Sequence, residues 1–277
     1  MQKQNRIVLL VVISLAVGLV AIVLATNRRG ENQSLPLPQG NAGARSKYVR
    51  RATLRPKLGW ALSQLGDRLE RPGKERTAVA GTVRFGNDPT ANPLILLNEF
   101  PDRVRASLTQ GSNARTLVFD GNRVRAASPL NQVDEALLET LVYDSSEHFF
   151  WSQTQQQATR FIGSRIRTDD GSTQDYTGPY YEVYQLTDVV KIGPIEQLRS
   201  KFYYFNSETL LLERVLYQDR ASRVEVRLGD WRSVNDQQLP HRIERIEDGV
   251  SAFVFSLGSI NIAPRQDDSL FDQTPAN

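Results

Sequence analysis

The stretch Lys201-Phe-Tyr-Tyr-Phe-Asn-Ser-Glu-Thr-Leu-Leu-Leu-Glu-Arg-Val-Leu-Tyr217 decides the fold. Two apolar, aromatic-rich runs face each other across Asn206-Ser-Glu-Thr209, whose short polar side chains favour a turn by hydrogen-bonding to the nearby backbone. Runs of this kind, bounded by turn formers, read as paired strands. The pattern repeats toward the C-terminus. Arg223-Val-Glu-Val-Arg-Leu228 alternates strictly, with Val224, Val226 and Leu228 on one face and Arg223, Glu225 and Arg227 on the other. Asn235-Asp236 and Asp248-Gly249 mark turns on either side of Leu239–Ile246. Ala252–Leu257 follows, and Ile260 with Ile262 closes the series. Period two throughout Arg199–Ile262 predicts an antiparallel meander with one face buried.

The same period governs the region upstream. Val79–Phe85, Leu94–Leu97 and Arg103–Leu108 read as strands, and Thr116–Phe119 returns through Asp120-Gly121 into Arg123–Arg125 as a hairpin. The period then changes. Asn131 is placed to cap a helix with Val133, Ala136, Leu137, Thr140 and Leu141 along one side. Asp144-Ser-Ser-Glu147 has the spacing of a capping box that opens a second helix through Phe149, Phe150 and Trp151. Phe161–Arg167 and Tyr180–Ile192 resume the strands across the polar loop Thr168–Gly178. Closer to the start, Leu58, Ala61, Leu62, Leu65 and Leu69 share one face of a helix that Pro56 opens and Pro72-Gly73 stops. The fold class on these grounds is mainly β, of the α+β kind.

The N-terminal region has a different character. Ile7 to Ala25 is apolar and uncharged, broken only by Ser14 and Gly18. About 20 apolar residues cross a bilayer as a helix, whereas a signal-peptide core is about 7–15, so the length favours a retained transmembrane helix. Val23-Leu24-Ala25 also suits signal-peptide cleavage, which leaves residues 1–26 as a transmembrane anchor or a signal peptide. Lys3 and Arg6 on one side and Arg28 and Arg29 on the other leave the orientation unassigned by charge. Residues 27–52 read as a flexible basic linker, and residues 53–277 as the β domain. Arg45, Lys47, Arg50, Arg51, Arg55 and Lys57 form a basic cluster at that junction. It reads either as a solvated charge run or as a contact with anionic lipid headgroups, worth about 1 kcal/mol per basic residue.

Charge and composition exclude several function classes. Residues 1–76 carry a net +10, so the formal +3 of the whole chain leaves the remaining body at −7. An acidic body lacks the basic face that nucleic-acid binding requires. With no cysteine there is no disulfide, thiol nucleophile or thiolate metal site. His148 and His241 are the only histidines, and neither belongs to a partner motif. Asp169-Asp170 and Asp267-Asp268 lack the spacing of a calcium loop, and no phosphate-binding loop or nucleophile elbow is present. The expectation is a non-enzyme with no catalytic residues, no metal and no cofactor. Trp60, Trp151 and Trp231 read as core anchors.

Taken in order, four local patterns resemble the periplasmic lipoprotein-carrier superfamily with the LolA/LolB-like fold. They are the amphipathic helix leading into Ala80-Gly-Thr-Val-Arg-Phe85, and the Phe119-Asp-Gly-Asn122 hairpin followed by helices. The third is Phe202-Tyr-Tyr-Phe-Asn-Ser-Glu-Thr-Leu-Leu211. The fourth joins Gly229-Asp-Trp-Arg-Ser-Val234 and Leu239-Pro240 to a closing Asp267-Asp-Ser-Leu-Phe271. The likeness spans about residues 55–271. It implies a curved antiparallel half-barrel sheet lidded by helices, here preceded by one N-terminal transmembrane helix. It also implies an extracytoplasmic location for the β domain and a lipid or lipoprotein acyl chain as partner, with the membrane contacted through the N-terminal helix. The expected lining of an acyl cavity is Val224, Val226, Leu228, Phe253, Phe255 and Leu257. The family's functional arginine cannot be assigned among so many arginines, and no protein partner is identified. The alternative is a non-catalytic protein-interaction or envelope-sensing module of the same fold with a filled core.

Overall fold

Asn235 and Asp236 both adopt positive φ (49° and 62°), the left-handed pair that a tight hairpin turn demands. They join β10 (Ser222–Val234) to β11 (Gln237–Glu247). Asp248 and Gly249 do the same (49° and 83°) between β11 and β12 (Val250–Pro264). Asp248 is further pinned: its carboxylate accepts from the Arg223 N–H at 2.8 Å, tying the turn to the neighbouring strand. Register in this part of the sheet is therefore set by turn chemistry as well as by apolar alternation.

The computed structural model describes Ala61, residues 73–155, 158–167, 178–192 and 196–265, and Phe271. They fall within one unit, Ala42–Asn277. Nine further strands precede the C-terminal three. β1 (Glu75–Phe85), β2 (Asn92–Glu99), β3 (Arg103–Gln110), β4 (Asn113–Asp120) and β5 (Val124–Ala126) run as a meander. Two helices follow, α1 (Gln132–Tyr143) and α2 (Ser146–Thr154). The meander then resumes with β6 (Ala158–Ile166), β7 (Tyr181–Val190), β8 (Gln197–Asn206) and β9 (Leu212–Asp219).

All twelve strands form one open antiparallel sheet in the order β5-β4-β3-β2-β1-β12-β11-β10-β9-β8-β7-β6. The first strand thus pairs with the last, while the two free edges, β5 and β6, are consecutive in the chain and joined by the helices. Flat, the nine strand spacings between β4 and β7 would cover about 43 Å. A twelve-residue helix such as α1 is about 18 Å long. Yet Leu117 and Phe119 of β4 and Val190 of β7 pack in one cluster with Leu138 and Val142 of α1. The sheet must therefore curl strongly around α1. At the β1–β12 seam the register shifts between Ala80 and Gly81, and a Cβ at Gly81 would run into the Ser256 carbonyl oxygen.

The structure refines three local expectations. Ile260 and Ile262 belong to the same fifteen-residue strand as Phe253, because β12 runs through Gly258 without ending. The N-cap of α2 is Ser145, whose hydroxyl accepts from the His148 N–H at 3.1 Å, and not Asp144. Asp144 is drawn instead into an ion pair beneath α1. At α1 the capping box is complete, but it is Asn131 with Asp134: Asp134 N–H donates to Asn131 Oδ1, and Asn131 N–H donates to Asp134 Oδ2. Among the described residues no helix is long and apolar enough to cross a membrane. The apolar segment Ile7–Ala25, the linker, the basic cluster, Trp60, the pairs Asp169-Asp170 and Asp267-Asp268, and most of the loop Thr168–Gly178 lie outside the described residues. So does the Lys57–Leu69 helix apart from Ala61, which is helical and buried against the concave face.

Candidate functional site beneath the crossover helix

Alternation along the strands dictates which residues line the concave face. On β8, Arg199, Lys201, Tyr203 and Phe205 share one parity, and on β11 Leu239, His241, Ile243 and Arg245 do the same. Cross-strand registers set these residues in rows. Tyr203 pairs with Val215, Val215 with Val226, Val226 with Arg245 and Arg245 with Phe253. One row nearer the rim, Lys201 pairs with Tyr217 and Tyr217 with Val224. Cations at inward positions of an apolar face must find carboxylates there.

α1 and its C-cap supply them. Glu139, Arg199, Lys201 and Arg245 are all buried. Arg199 Nη1 donates to both Glu139 oxygens, at 2.9 and 3.0 Å, and Lys201 Nζ lies 2.8 Å from Glu139 Oε1. Lys201 also donates to Asp144 Oδ1 at 2.6 Å. Tyr217 Oη donates to Asp144 Oδ2 at 3.1 Å and accepts from Arg245 at 2.7 Å. Arg245 Nε in turn donates to Glu247 at 2.7 Å, and Arg199 Nη2 pairs with Asp219 at 2.8 Å. Tyr203 Oη donates to the Tyr143 carbonyl at 2.7 Å, closing the last turn of α1 onto the sheet.

The electrostatics follow from this packing. Burial pushes the Glu139 carboxyl up, but Lys201, Arg199 and Arg245 outweigh it and hold the group below the usual carboxylate range. At Asp144 burial prevails, and the carboxyl is raised despite Lys201. Burial also raises the Tyr203 and Tyr217 phenols well above their ordinary value, with Asp144 and Glu139 adding to the effect. Burial works against the Arg245 charge, yet Tyr217, Asp144 and Glu139 raise its pKa on balance. Held only by apolar contacts, α1 could slide along the sheet. Any such shift would strand buried charges, so the network fixes one docked position.

α1 does not rest on solid packing at either end. Beneath its first two turns lies a cavity of about 370 Å3 whose lining is as polar as it is apolar, with Glu135, Glu139, Arg199, Asp219, Arg245 and Glu247 beside Val133, Ala136, Val224 and Phe253. Beneath its last turn is a hollow of about 90 Å3, mostly apolar, bordered by Leu96, Leu141, Leu228, Trp231, Ile243 and Leu257. A void of about 10 Å3 sits between Val83, Leu137 and Phe255. The β6–β9 side differs. There Phe149 and Phe150 of α2 meet Tyr184, Tyr203 and Phe205, with ring centroids mostly 5.0–5.8 Å apart.

The six residues expected to line an acyl cavity, Val224, Val226, Leu228, Phe253, Phe255 and Leu257, are all buried in the concave cluster. Val224 and Phe253 border the large cavity, and Leu228 and Leu257 border the hollow. Phe255 adjoins only the smallest void among these spaces, and Val226 adjoins none of the three. His148 is 2.9 Å from Asp188 and 3.4 Å from Ser152 through the same nitrogen, so no relay forms. His241 places Nδ1 2.8 Å from the Leu257 carbonyl. Sequence reasoning missed Glu139, Asp144, Arg199, Lys201 and Arg245. A signal was present for the cations: Arg199, Lys201 and Arg245 occupy inward parity in otherwise apolar strands.

No protein-family model and no curated protein matches the sequence. Solved structures do. A LolA superfamily protein from Nitrosomonas europaea aligns with a TM-score of 0.50 at 12% identity, covering 76% of this chain and 96% of that one. A domain assigned to outer membrane lipoprotein sorting from Vibrio parahaemolyticus gives a TM-score of 0.46 at 8% identity, over 77% of this chain and 95% of that one. A DUF1329 family protein from Desulfovibrio piger gives 0.45 at 10% identity, over 78% and 95%. With its open antiparallel sheet, its β1–β12 seam and its two crossover helices, the chain has a LolA-like fold.

Proposed function

We propose that this chain is an extracytoplasmic, non-catalytic domain that binds the acyl chain of a lipid or lipoprotein against its concave face. In this reading the N-terminal segment Ile7–Ala25 holds it at a membrane. One observation carries the proposal: α1 lies over a cavity at each end, about 370 Å3 and about 90 Å3, while a discrete set of ion pairs holds it down. Ligand pockets commonly occupy about 300–1,000 Å3, so the larger cavity is already of that size. An acyl chain gains about 0.8 kcal/mol per buried methylene; Leu96, Leu228, Ile243 and Leu257 around the smaller hollow supply apolar surface for it, while charged side chains share the lining of the larger cavity. Among the described residues, Val226 and Phe255 are packed between the two cavities, so a chain that spans both requires α1 to lift. The second reading, a protein-interaction module with a filled core, is favoured by the aromatic cluster around Phe149, which packs the β6–β9 side.

Photolabelling separates the two. The full-length chain, reconstituted in lipid nanodiscs, is exposed to a diazirine-bearing fatty acid and the labelled peptides are identified by mass spectrometry. Labels on peptides containing Val224, Leu228, Phe253 and Leu257 are the expected result. Labelling confined to the Ile7–Ala25 segment would rule out acyl binding by the β domain and leave the interaction module.

A further inference from the structure

The charges that line the larger cavity fall into two groups. The inner ones are committed. Glu139, Arg199 and Arg245 are buried in the network beneath α1, and Asp219 and Glu247 pair with Arg199 and Arg245 at 2.8 and 2.7 Å. The outer two are held more loosely. Arg220, in the turn between β9 and β10, reaches Glu135 of α1 through a single contact, Nη2 to Oε2 at 3.3 Å. Both side chains line the cavity, and that of Arg220 is 55% exposed. An ion pair so open to solvent contributes little to stability and separates readily. The turn holds Arg220 at φ 54°, a left-handed conformation that glycine adopts with less strain than arginine.

Seating an amphiphile in this cavity takes water away from both charges, which is unfavourable unless the ligand replaces it. A head of one sign answers only one of the two. An anionic head meets Arg220 but leaves Glu135, with Asp219 and Glu247 in the same lining, facing like charge. An uncharged head answers neither. A head that carries both signs turns one ion pair into two, with its anion on the guanidinium and its ammonium on the carboxylate. The remaining lining suits the same ligand, because Val133, Ala136, Val224 and Phe253 offer apolar surface to the first methylenes of its chain.

We infer that Arg220 and Glu135 form the head-group site for a zwitterionic phospholipid, with the phosphodiester on Arg220 and a primary ammonium on Glu135. This rests on the acyl-binding reading above and adds to it the chemical class of the lipid head. Arginine suits the phosphate because its planar fork donates two parallel hydrogen bonds. Glu135 distinguishes ethanolamine from choline, since a primary ammonium donates hydrogen bonds and a trimethylammonium has none to give.

The test uses the full-length chain in phosphatidylcholine nanodiscs and the same photolabel, read on the peptides containing Val224 and Phe253. Four competitors share one palmitoyl chain: lysophosphatidylethanolamine, lysophosphatidylcholine, lysophosphatidylglycerol and 1-palmitoylglycerol. One net hydrogen bond corresponds to roughly 2- to 10-fold in affinity, so the ethanolamine lipid should outcompete the other two lysophospholipids by that factor. Glu135→Gln should bring it level with the choline lipid. Arg220→Gln should weaken all three lysophospholipids against 1-palmitoylglycerol. Neither residue belongs to the buried network, so both variants are expected to fold. Comparing each variant with the wild type on the same competitors cancels differences in how the lipids partition into the disc. Equal competition by the four lipids in the wild type, or an ethanolamine preference that survives in Glu135→Gln, would overturn the head-group assignment while acyl binding stands. Failure of all four to compete would overturn the assignment together with the acyl-binding reading.

Discussion

Glu139 is the residue on which the docking of α1 turns. Among the described residues it is the carboxylate paired with all three buried cations: Lys201 and Arg199 contact it at 2.8–3.0 Å, and Arg245 lies 3.8 Å away. Glu139→Gln keeps the shape and removes the charge, leaving those cations short of a counter-ion. A loss of about 3–5 kcal/mol at pH 7 is expected, as for other broken buried pairs. Urea unfolding measures it, and a variant within 1 kcal/mol of wild type would show the network to be dispensable. The pH dependence has a definite sign. The folded-state pKa of Glu139 is lowered, so its contribution is complete above the ordinary value of 4.5 and is lost as pH falls through the lowered one. Asp144 acts oppositely: its folded-state pKa is raised above 3.8, so its ionisation removes stability as pH rises through that interval. The wild-type advantage over Glu139→Gln should therefore shrink on acidification.

At the scale of elements, α1 and α2 form the crossover that ties the two sheet edges together, and their caps determine where they start. Asn131→Ala removes the side-chain acceptor of the α1 N-cap and half of the capping box. A cost of about 0.5–2 kcal/mol is expected. Hydrogen exchange should rise in the first turn of α1 well before it rises in β10–β12. Uniform protection across α1 and the sheet in this variant would mean that the helix has no independent freedom. This capping box was half legible in the sequence, because Asn131 precedes an apolar period and Asp134 lies three residues on. The α2 cap was misplaced by one residue, and the reason is tertiary. Asp144 has the composition of a cap, but a lysine 57 residues away in the chain takes its carboxylate.

For the molecule as a whole, the question is which parts of the concave face are filled and which can open. Phe255 pairs with Ile243 on one side and Val83 on the other, at the centre of the seam between the N- and C-terminal halves. It is fully buried. Phe255→Ala should cost about 3–5 kcal/mol in urea or thermal unfolding, as removal of a packed aromatic does. A loss under 1 kcal/mol, with stronger acyl labelling, would instead place the open space at the seam. The seam also explains how such an open sheet holds together. Its first and last strands pair, so the free edges are pushed to β5 and β6, where the helical crossover joins them.

The strands, their inward faces, the tight turns and the two helices were written locally, in period-two and period-3.6 patterns and in Asn, Asp and Gly at turn positions. So was the apolar character of Val224, Val226, Leu228, Phe253, Phe255 and Leu257. Their partners were not. Nothing near Glu139 in the chain announces Arg199, Lys201 or Arg245, because a pair 60 or more residues apart is set by sheet order and not by spacing. Only the curled sheet decides which polar groups meet beneath α1, because burial and pairing are properties of neighbours brought together from distant parts of the chain.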